Sequence, residues 1–373
     1  MKWVFWMAAG LIAYTYVGYP IWLRMRSHWA PRPVLRGHEE IPVTAVMVVR
    51  NEEAVLARKL ENLLSLDYPQ ERFDVVVLSD GSTDSTPAIL ADFEKSRRVR
   101  ALIKQKPQGK AAGLNDAMQF ARGEVVLFTD ARQQIEHGAL RCLIENFADT
   151  DVGAASGELM LGDPSTGEAG IGMGMYWRIE KRVRELESAS GSVVGATGAI
   201  YCVRRSLCGF LPAGTILDDV LLPMQIIRKG ARVIFDSRAR AWDSPDLGER
   251  REFVRKVRTL SGNYQLLQLA PWLLSAKNPI RFEFISHKLL RLVVPFALVA
   301  LLLASLFLPH PFYRAMLAAQ IVFYALSLAA IARIKIGPLS QVADAARTFV
   351  VLHSAALVAF INFVTGRKAS WVR

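Results

Sequence analysis

The sequence predicts an α/β domain, built on a parallel sheet covered on both faces and held between an N-terminal transmembrane helix and a C-terminal group of them. Three observations carry this. In the polar middle of the chain, short apolar β-branched runs alternate with amphipathic helical stretches, as in "VTAVMVV" before "AVLARKLENLLSL". That alternation is the mark of buried parallel strands joined by helices. Hydrophobic residues make up 52% of the 373, with a mean hydropathy of +0.22, more apolar than one aqueous core can absorb. Finally, long uncharged stretches flank the polar region on both sides.

The first of these stretches, 3–23, has no charged residue. It lacks the short apolar core and small-residue cleavage site of a signal peptide, so it is expected to stay as an anchor. Arg24, Arg26, Arg32 and Arg36 follow it at once. By the positive-inside bias they leave the middle of the chain in the cytoplasm, and Lys288 and Arg291 repeat the signal before the second stretch. Stretches 292–308 and 315–332 are nearly pure Ala, Leu, Val and Phe, while 349–364 carries only His353 and is short for a span of roughly 20 residues. A third C-terminal span would put Arg367, Lys368 and Arg373 outside, against the charge bias, so that last stretch is either interfacial, re-entrant or an exception.

Within the polar region, "VTAVMVVRNEE", "FDVVVLSDGSTDST" and "GEVVLFTDA" each run from an apolar strand into polar residues. Ligands of such sheets bind beyond the carboxyl ends of the strands, where Asn51, Glu52, Asp80 and Asp130 fall. Asp84 or Ser82 reads as a helix cap. Cys142, Cys202 and Cys208 show no C-x-x-C spacing, so neither a disulfide framework nor a zinc site is indicated. The net charge of +12 is assigned partly to anionic lipid rather than nucleic acid. Two basic groups remain, Arg178, Lys181, Arg182 and Arg184, then Arg250, Arg251, Arg255, Lys256 and Arg258. They are solvated helix faces or sites for a polyanionic substrate.

The series "VVRNEE", "SDGSTDST", "GKAAGLN", "FTDA", "GATGAIYCVRRSL", "ILDDVLLPMQIIRKGARV" and "RKVRTLSGNYQ" resembles the family 2 glycosyltransferases, specifically their membrane-embedded, processive-type members. The order and spacing match over nearly the whole polar region. This resemblance implies a GT-A, Rossmann-like cytoplasmic catalytic domain, a nucleotide-sugar donor, inversion at the anomeric carbon and usually a divalent metal, Mg²⁺ or Mn²⁺.

The family's Asn-Glu turn and second-strand acid hold the nucleoside, and these positions are Asn51, Glu52 and Asp80 here, with Arg50 in the same turn. Lys110 matches a Gly-Lys contact to the donor, where a point cation suits a phosphate. Asp218 and Asp219 stand where the family carries an acidic pair. Asp219 matches the catalytic base, and Asp218 is expected to cap the following helix. Thr197 and Gly198, in "GATGAIY", would form the wall against which the acceptor sugar lies. Many processive members carry Gln-x-x-Arg-Trp where this chain has Arg255, Lys256, Val257, Arg258 and Thr259. Arg258 is kept, and Arg251, Arg255 and Arg258 share one helical face suited to a diphosphate.

Asp130 stands where the family has its metal-binding acid, yet Arg132 occupies the place of the usual second acid. Arg132 has no lone pair to give a metal. Either Asp130 holds the ion with water and phosphate oxygens, or Arg132 itself replaces some of the metal's charge.

The expected division is an anchor over 1–24, a glycosyltransferase domain over 41–258, an interfacial helix over 262–280 with Tyr264 and Trp272 at headgroup depth, and a membrane region over 288–366 with two or three helices. The partners implied are a nucleotide-sugar donor, UDP-linked by the resemblance, the bilayer of the plasma membrane, a polysaccharide or lipid-linked acceptor, and a second copy or export partner. Three functions stay open: extension of a polysaccharide or glycolipid, transfer of one sugar to a polyprenyl phosphate, and non-catalytic nucleotide-sugar binding within a synthesis complex.

Overall fold

The computed structural model describes residues 1–162, 175–243, 249–334 and 337–367; Lys368 and Arg373 lie outside them. The chain begins with helices α1 (Lys2–Ala13) and α2 (Tyr19–Trp29), joined through a π turn, Tyr14–Gly18, into one continuous rod. The α/β unit follows as β1 (Val43–Val49), α3 (Glu53–Leu64), β2 (Phe73–Asp80), α4 (Thr86–Glu94), β3 (Val99–Lys104), α5 (Lys110–Met118) and β4 (Val125–Phe128). Next come β5 (Gln134–Ile135), α6 (Ala139–Ile144), β6 (Val152–Leu161), α7 (Met175–Ser190), β7 (Tyr201–Arg204), α8 (Asp218–Arg228), β8 (Arg232–Asp243) and α9 (Glu249–Leu269). The chain ends with α10 (Arg281–Phe284), α11 (Leu290–Phe307), α12 (Pro311–Ile331) and α13 (Ser340–Val364).

Among the described residues eight strands form one sheet in the order β3-β2-β1-β4-β7-β6-β8-β5. The expected parallel arrangement holds for β3, β2, β1 and β4. Beyond β4 the sheet is mixed, because β7 runs antiparallel to both β4 and β6 while β6 and β8 are parallel. The strand period of two explains the core: Val43, Ala45 and Met47 pack with Leu56, Leu60 and Leu63 of α3, while Val46 packs with Ala111 and Leu114 of α5 on the other face. Both faces are dry, which is why these strands read as unbroken apolar runs.

Among the described residues, four helices are long and apolar enough to cross a membrane: Lys2–Trp29, Arg281–Phe307, Pro311–Ile331 and Ser340–Val364. The last is longer than its apolar stretch suggests, because Ser340 to Thr348 extend the same helix toward its N-terminus. Phe5 of α1 is buried with Ala304, Leu308 and Tyr313. Tyr19 and Leu23 of α2 pack instead on Val183 and Leu186 of α7, so one rod joins the apolar helices to the α/β unit.

The second basic group and the first part of the expected interfacial helix, 262–269, lie in one element, since α9 runs without a break from Glu249 to Leu269; Trp272 falls in a separate short turn, Pro271–Leu274. Tyr264 is buried against Leu292 of α11 and Ala355 and Ala359 of α13, and its ring stacks on Phe363 at 5.2 Å. The apolar stripe of α9 is thus covered by other helices. An amphipathic pattern demands burial but does not say whether lipid or protein supplies it. Trp272 carries the Arg228 guanidinium over its ring at 4.8 Å.

Gly81, in the turn after β2, has φ of +67°, and a Cβ there would lie 2.6 Å from the backbone nitrogen of Pro107. A side chain at this position meets both a left-handed backbone and a wall of main chain. Gly81→Ala is expected to destabilise the protein by about 1–3 kcal/mol, read as a lowered melting temperature; an unchanged one would mean that the turn is free to shift.

Candidate active site

The carboxyl ends of β1, β2 and β4 open on one edge of the sheet. Asn51, just past β1, adopts φ of +54°, a left-handed conformation that asparagine tolerates better than most residues. Its Oδ1 accepts from Thr83 N at 2.8 Å and its own N–H donates to Ser82 Oγ at 3.1 Å, which ties the first turn to the second. Asp84 does act as a cap: it accepts from Thr86 N at 3.0 Å and Glu53 N at 3.1 Å, joining the starts of α4 and α3. A slight burial raises its pKa, but the bonds from Thr86 and Glu53 outweigh this and hold it below the usual carboxylate range. Asp80 is buried, and its two oxygens accept from Gln108 N and Gly109 N, each at 2.8 Å. Its carboxylate therefore anchors the loop that presents Lys110.

Lys110 opens α5 and stands at the centre of the site. Its ammonium donates to Asp130 Oδ1 at 2.9 Å and lies 3.2 Å from Asp218 Oδ2. Burial would lower its pKa, yet Asp130, Asp218 and Asp219 together raise it. The expected cap at Asp218 is not formed: α8 starts after Leu217 without a side-chain cap bond, and the Asp218 carboxylate turns to Lys110 instead. A charged ammonium is a stronger partner for a carboxylate than a neutral helix N–H.

Asp219, the next residue, has its pKa pushed up to about 6 by burial and by the charge of Asp218, against the pull of Lys110 and Lys288. Its backbone carbonyl accepts from Ala196 N at 2.7 Å, which fixes the "GATG" loop against α8. Gly198 leaves room for the acid, since a Cβ there would come within 3.2 Å of Asp219 Oδ2. Thr197 beside it donates its N–H to Ser156 Oγ at 2.8 Å and accepts from Arg184 at 2.7 Å. Arg258, on α9, faces the same three acids; burial lowers its pKa while Asp218, Asp130 and Asp219 raise it.

Arg132 and Arg255 meet at a residue that sequence reasoning passed over. Asp243, the last residue of β8, lies 3.5 Å from Arg132 Nη2 and 3.7 Å from Arg255 Nη1, and accepts from Gln133 Nε2 at 2.9 Å. Its signal was present, because "RARAWD" is another strand ending in an acid. Glu52 is raised in pKa by burial and by Asp130 and Asp84, and lowered by Arg132, so it belongs to this side of the site. Arg50 is half-buried in the turn before it and makes no hydrogen bond or ion pair among the described residues.

A second overlooked residue is Lys59, buried at 1% exposure on the core face of α3 with Leu56, Leu60 and Leu63. Its ammonium donates to Thr129 Oγ1 at 2.9 Å and Gln133 O at 2.7 Å, bracing the segment that carries Asp130 and Arg132 from below. Burial pushes its pKa down to about 7. A lysine at a core position of an amphipathic helix is the signal for such a strut.

A divalent ion has one protein carboxylate to bind here. The Asp130 side chain is 42% exposed with one oxygen given to Lys110, and no group of three or more His, Cys, Asp or Glu gathers among the described residues. This donor set fits Mg²⁺ or Mn²⁺ held mainly by water and phosphate oxygens, which is how a small hard cation is commonly bound. It does not fit an ion caged by protein alone.

The model of the family described as glycosyl transferase family 2 matches residues 44–209, ending just before Asp218. The chain is 28% identical over 193 residues to a beta-monoglucosyldiacylglycerol synthase of Nostoc sp., covering 50% of this chain and 41% of that protein. It is 24% identical over 210 residues to a poly-beta-1,6-N-acetyl-D-glucosamine synthase of Staphylococcus epidermidis, covering 55% and 50%. The chain thus spans about half the length of the curated relatives it matches. In fold it is similar to the mannosyltransferase PcManGT from Pyrobaculum calidifontis, solved with GDP-Man and Mn²⁺, at a TM-score of 0.76 and 22% identity over 98% of this chain and 100% of that one. With this match and the sheet, turns and helices described above, the chain carries a family 2 glycosyltransferase domain of GT-A fold, flanked by helices apolar enough to cross a membrane.

Proposed function

We propose that this chain transfers a sugar, with inversion, from a nucleotide-sugar donor to a hydroxyl of a glycolipid or growing polysaccharide at the cytoplasmic face of the plasma membrane. The observation that carries the reading is Asp219: a half-buried carboxyl beside a second acid, with a pKa near 6, facing a glycine-bordered space. Such a group is mostly ionised at neutral pH yet basic enough to take a proton. The names of the relatives, one a glycolipid synthase and one a polysaccharide synthase, support the acceptor class.

In this reading Asn51, Glu52 and Asp80 border the nucleoside, and Lys110, Arg255 and Arg258 offset the charge of the diphosphate. Asp219 takes the proton of the acceptor hydroxyl as its oxygen attacks the anomeric carbon. The bond from that carbon to the diphosphate breaks on the opposite side, and the leaving oxygen keeps the electron pair. A divalent ion at Asp130 would supply further positive charge to that diphosphate when bound. The donor is taken as a UDP-sugar.

The test is release of nucleoside diphosphate by the purified full chain in lipid, across a panel of UDP-sugars that also includes GDP-mannose. Asp219→Asn is expected to slow transfer about a hundredfold to ten-thousandfold, while the affinity for donor stays within about twofold. Wild-type turnover in this variant would remove Asp219 from the role of base. No release with any donor would leave nucleotide-sugar binding without catalysis.

The paired substitutions Asp130→Ala and Arg132→Ala separate the two accounts of the diphosphate. With a metal at Asp130, chelator stops transfer, Mg²⁺ or Mn²⁺ restores it, and Asp130→Ala loses about a hundredfold or more, whereas Arg132→Ala loses little. Arg132 is already drawn toward Asp243, which favours this ranking. Activity that persists in chelator, together with an inactive Arg132→Ala, would reverse it.

A further inference from the structure

Charged side chains gather where the apolar helices meet α7. His287 is 1% exposed, in a π turn, Ile285–Leu289, between α10 and α11. Its Nδ1 lies 2.8 Å from Glu187 Oε1 and its Nε2 3.1 Å from Glu180 Oε1. Arg291 donates to Glu180 Oε2 at 2.5 Å, and Arg184 to Glu180 Oε1 at 3.3 Å. Tyr19 of α2 donates to Glu187 Oε1 at 2.6 Å. Each of the two carboxylates is therefore satisfied. Lys288, in the same turn, is different: among the described residues no hydrogen bond or ion pair reaches its ammonium.

An ionisable side chain near the start of an apolar span is costly unless something pairs with it, and such residues commonly mark a ligand. The surroundings narrow the ligand's chemistry. Glu180 and Glu187 are taken up by His287, Arg184, Arg291 and Tyr19, so the Lys288 ammonium, with no bonded carboxylate among the described residues, is placed to receive an anion. The group also adjoins the base. Arg184 donates to Thr197 Oγ1 at 2.7 Å, and Thr197 precedes Gly198, whose backbone lies against the Asp219 carboxylate. Lys288 acts on Asp219 as well, helping to keep it ionised.

Two cationic groups therefore meet at Asp219. Lys110 belongs with Asp130 and Asp218 on the donor side. The group on α7 and α11 is separate from those acids and rises from a helix able to enter lipid. We propose that Lys288, with Arg184 and Arg291, holds the phosphate of a membrane-lipid acceptor whose hydroxyl reaches Asp219. The acceptor is then an anionic lipid with a hydroxylated head group, not a neutral diacylglycerol. This inference rests on the transferase reading and names its substrate class.

The test uses the full chain in a nonionic maltoside micelle, which brings no phosphate of its own. Calorimetric titrations compare dihexanoyl phosphatidylinositol, dihexanoylglycerol and inorganic phosphate. The wild type is expected to bind the phosphatidylinositol at least about tenfold more tightly than the glycerolipid, the scale of one charge-assisted hydrogen bond. Lys288→Gln should erase that preference, and Lys288→Arg should keep most of it. A wild type without the preference overturns the proposal, and this arm needs no variant to fold. So does a Lys288→Gln protein that retains it. Inorganic phosphate competing at concentrations equal to the lipid would make the site one for free phosphate and overturn the lipid assignment. UDP is titrated in the same sample. UDP binding without lipid preference sinks this inference alone, while absence of nucleotide binding sinks the transferase reading beneath it.

Discussion

Three carboxylates, Asp130, Asp218 and Asp219, cannot crowd one partly buried corner in their charged forms unless a cation is built in among them. Lys110 is that cation, bonded to Asp130 and close to Asp218, and its position depends on two turns of the sheet edge. Asp80 holds Gln108 N and Gly109 N, so the acid closing β2 sets the loop that aims Lys110 at the acid following β4. Lys59 supports that last segment from the core. The reactive character of Asp219 follows from this balance. Burial and Asp218 raise its pKa, Lys110 and Lys288 restrain the rise, and the result lies close to neutral.

The α/β order of the first half was legible because β1, β2 and β4 are buried on both faces, and burial on both faces leaves an unbroken apolar run. The strand-end rule then placed Asp80 and Asp130 at one edge without help from side-chain detail. Strand direction beyond β4 was not legible. A strand such as "YCVR" carries no mark of whether it runs parallel or antiparallel, and β7 takes the antiparallel course. The burial of α9 was hidden for a similar reason, since its apolar stripe fits α13 as well as it would fit lipid.

Within the site, motif reasoning found residues with a polar signature at a turn but not those acting from regular elements. Asp243 ends a long strand far along the chain, and its bonds to Gln133 and Arg132 join β8 to the residues just before the neighbouring edge strand β5, more than a hundred positions earlier in sequence. Asp218 was expected to serve its own helix, whereas it serves a lysine more than a hundred positions earlier. Both cases turn on contacts between residues distant in sequence. The link between α2, α7 and the π turn before α11 is of the same kind, because Tyr19, Glu187 and His287 become neighbours only once the apolar helices dock on the domain.

The balance of charge at Asp219 is tested most directly by the pH dependence of kcat/KM for the acceptor, measured at saturating donor in the wild type and in Lys110→Gln. The base acts in its ionised form, so the rate should fall as pH drops through about 6. Removing the Lys110 charge takes away a cation that favours ionised Asp219, so the limb should move to higher pH in the variant. A limb at the same pH in both proteins, or a wild-type rate that rises as pH falls through this range, would contradict the account.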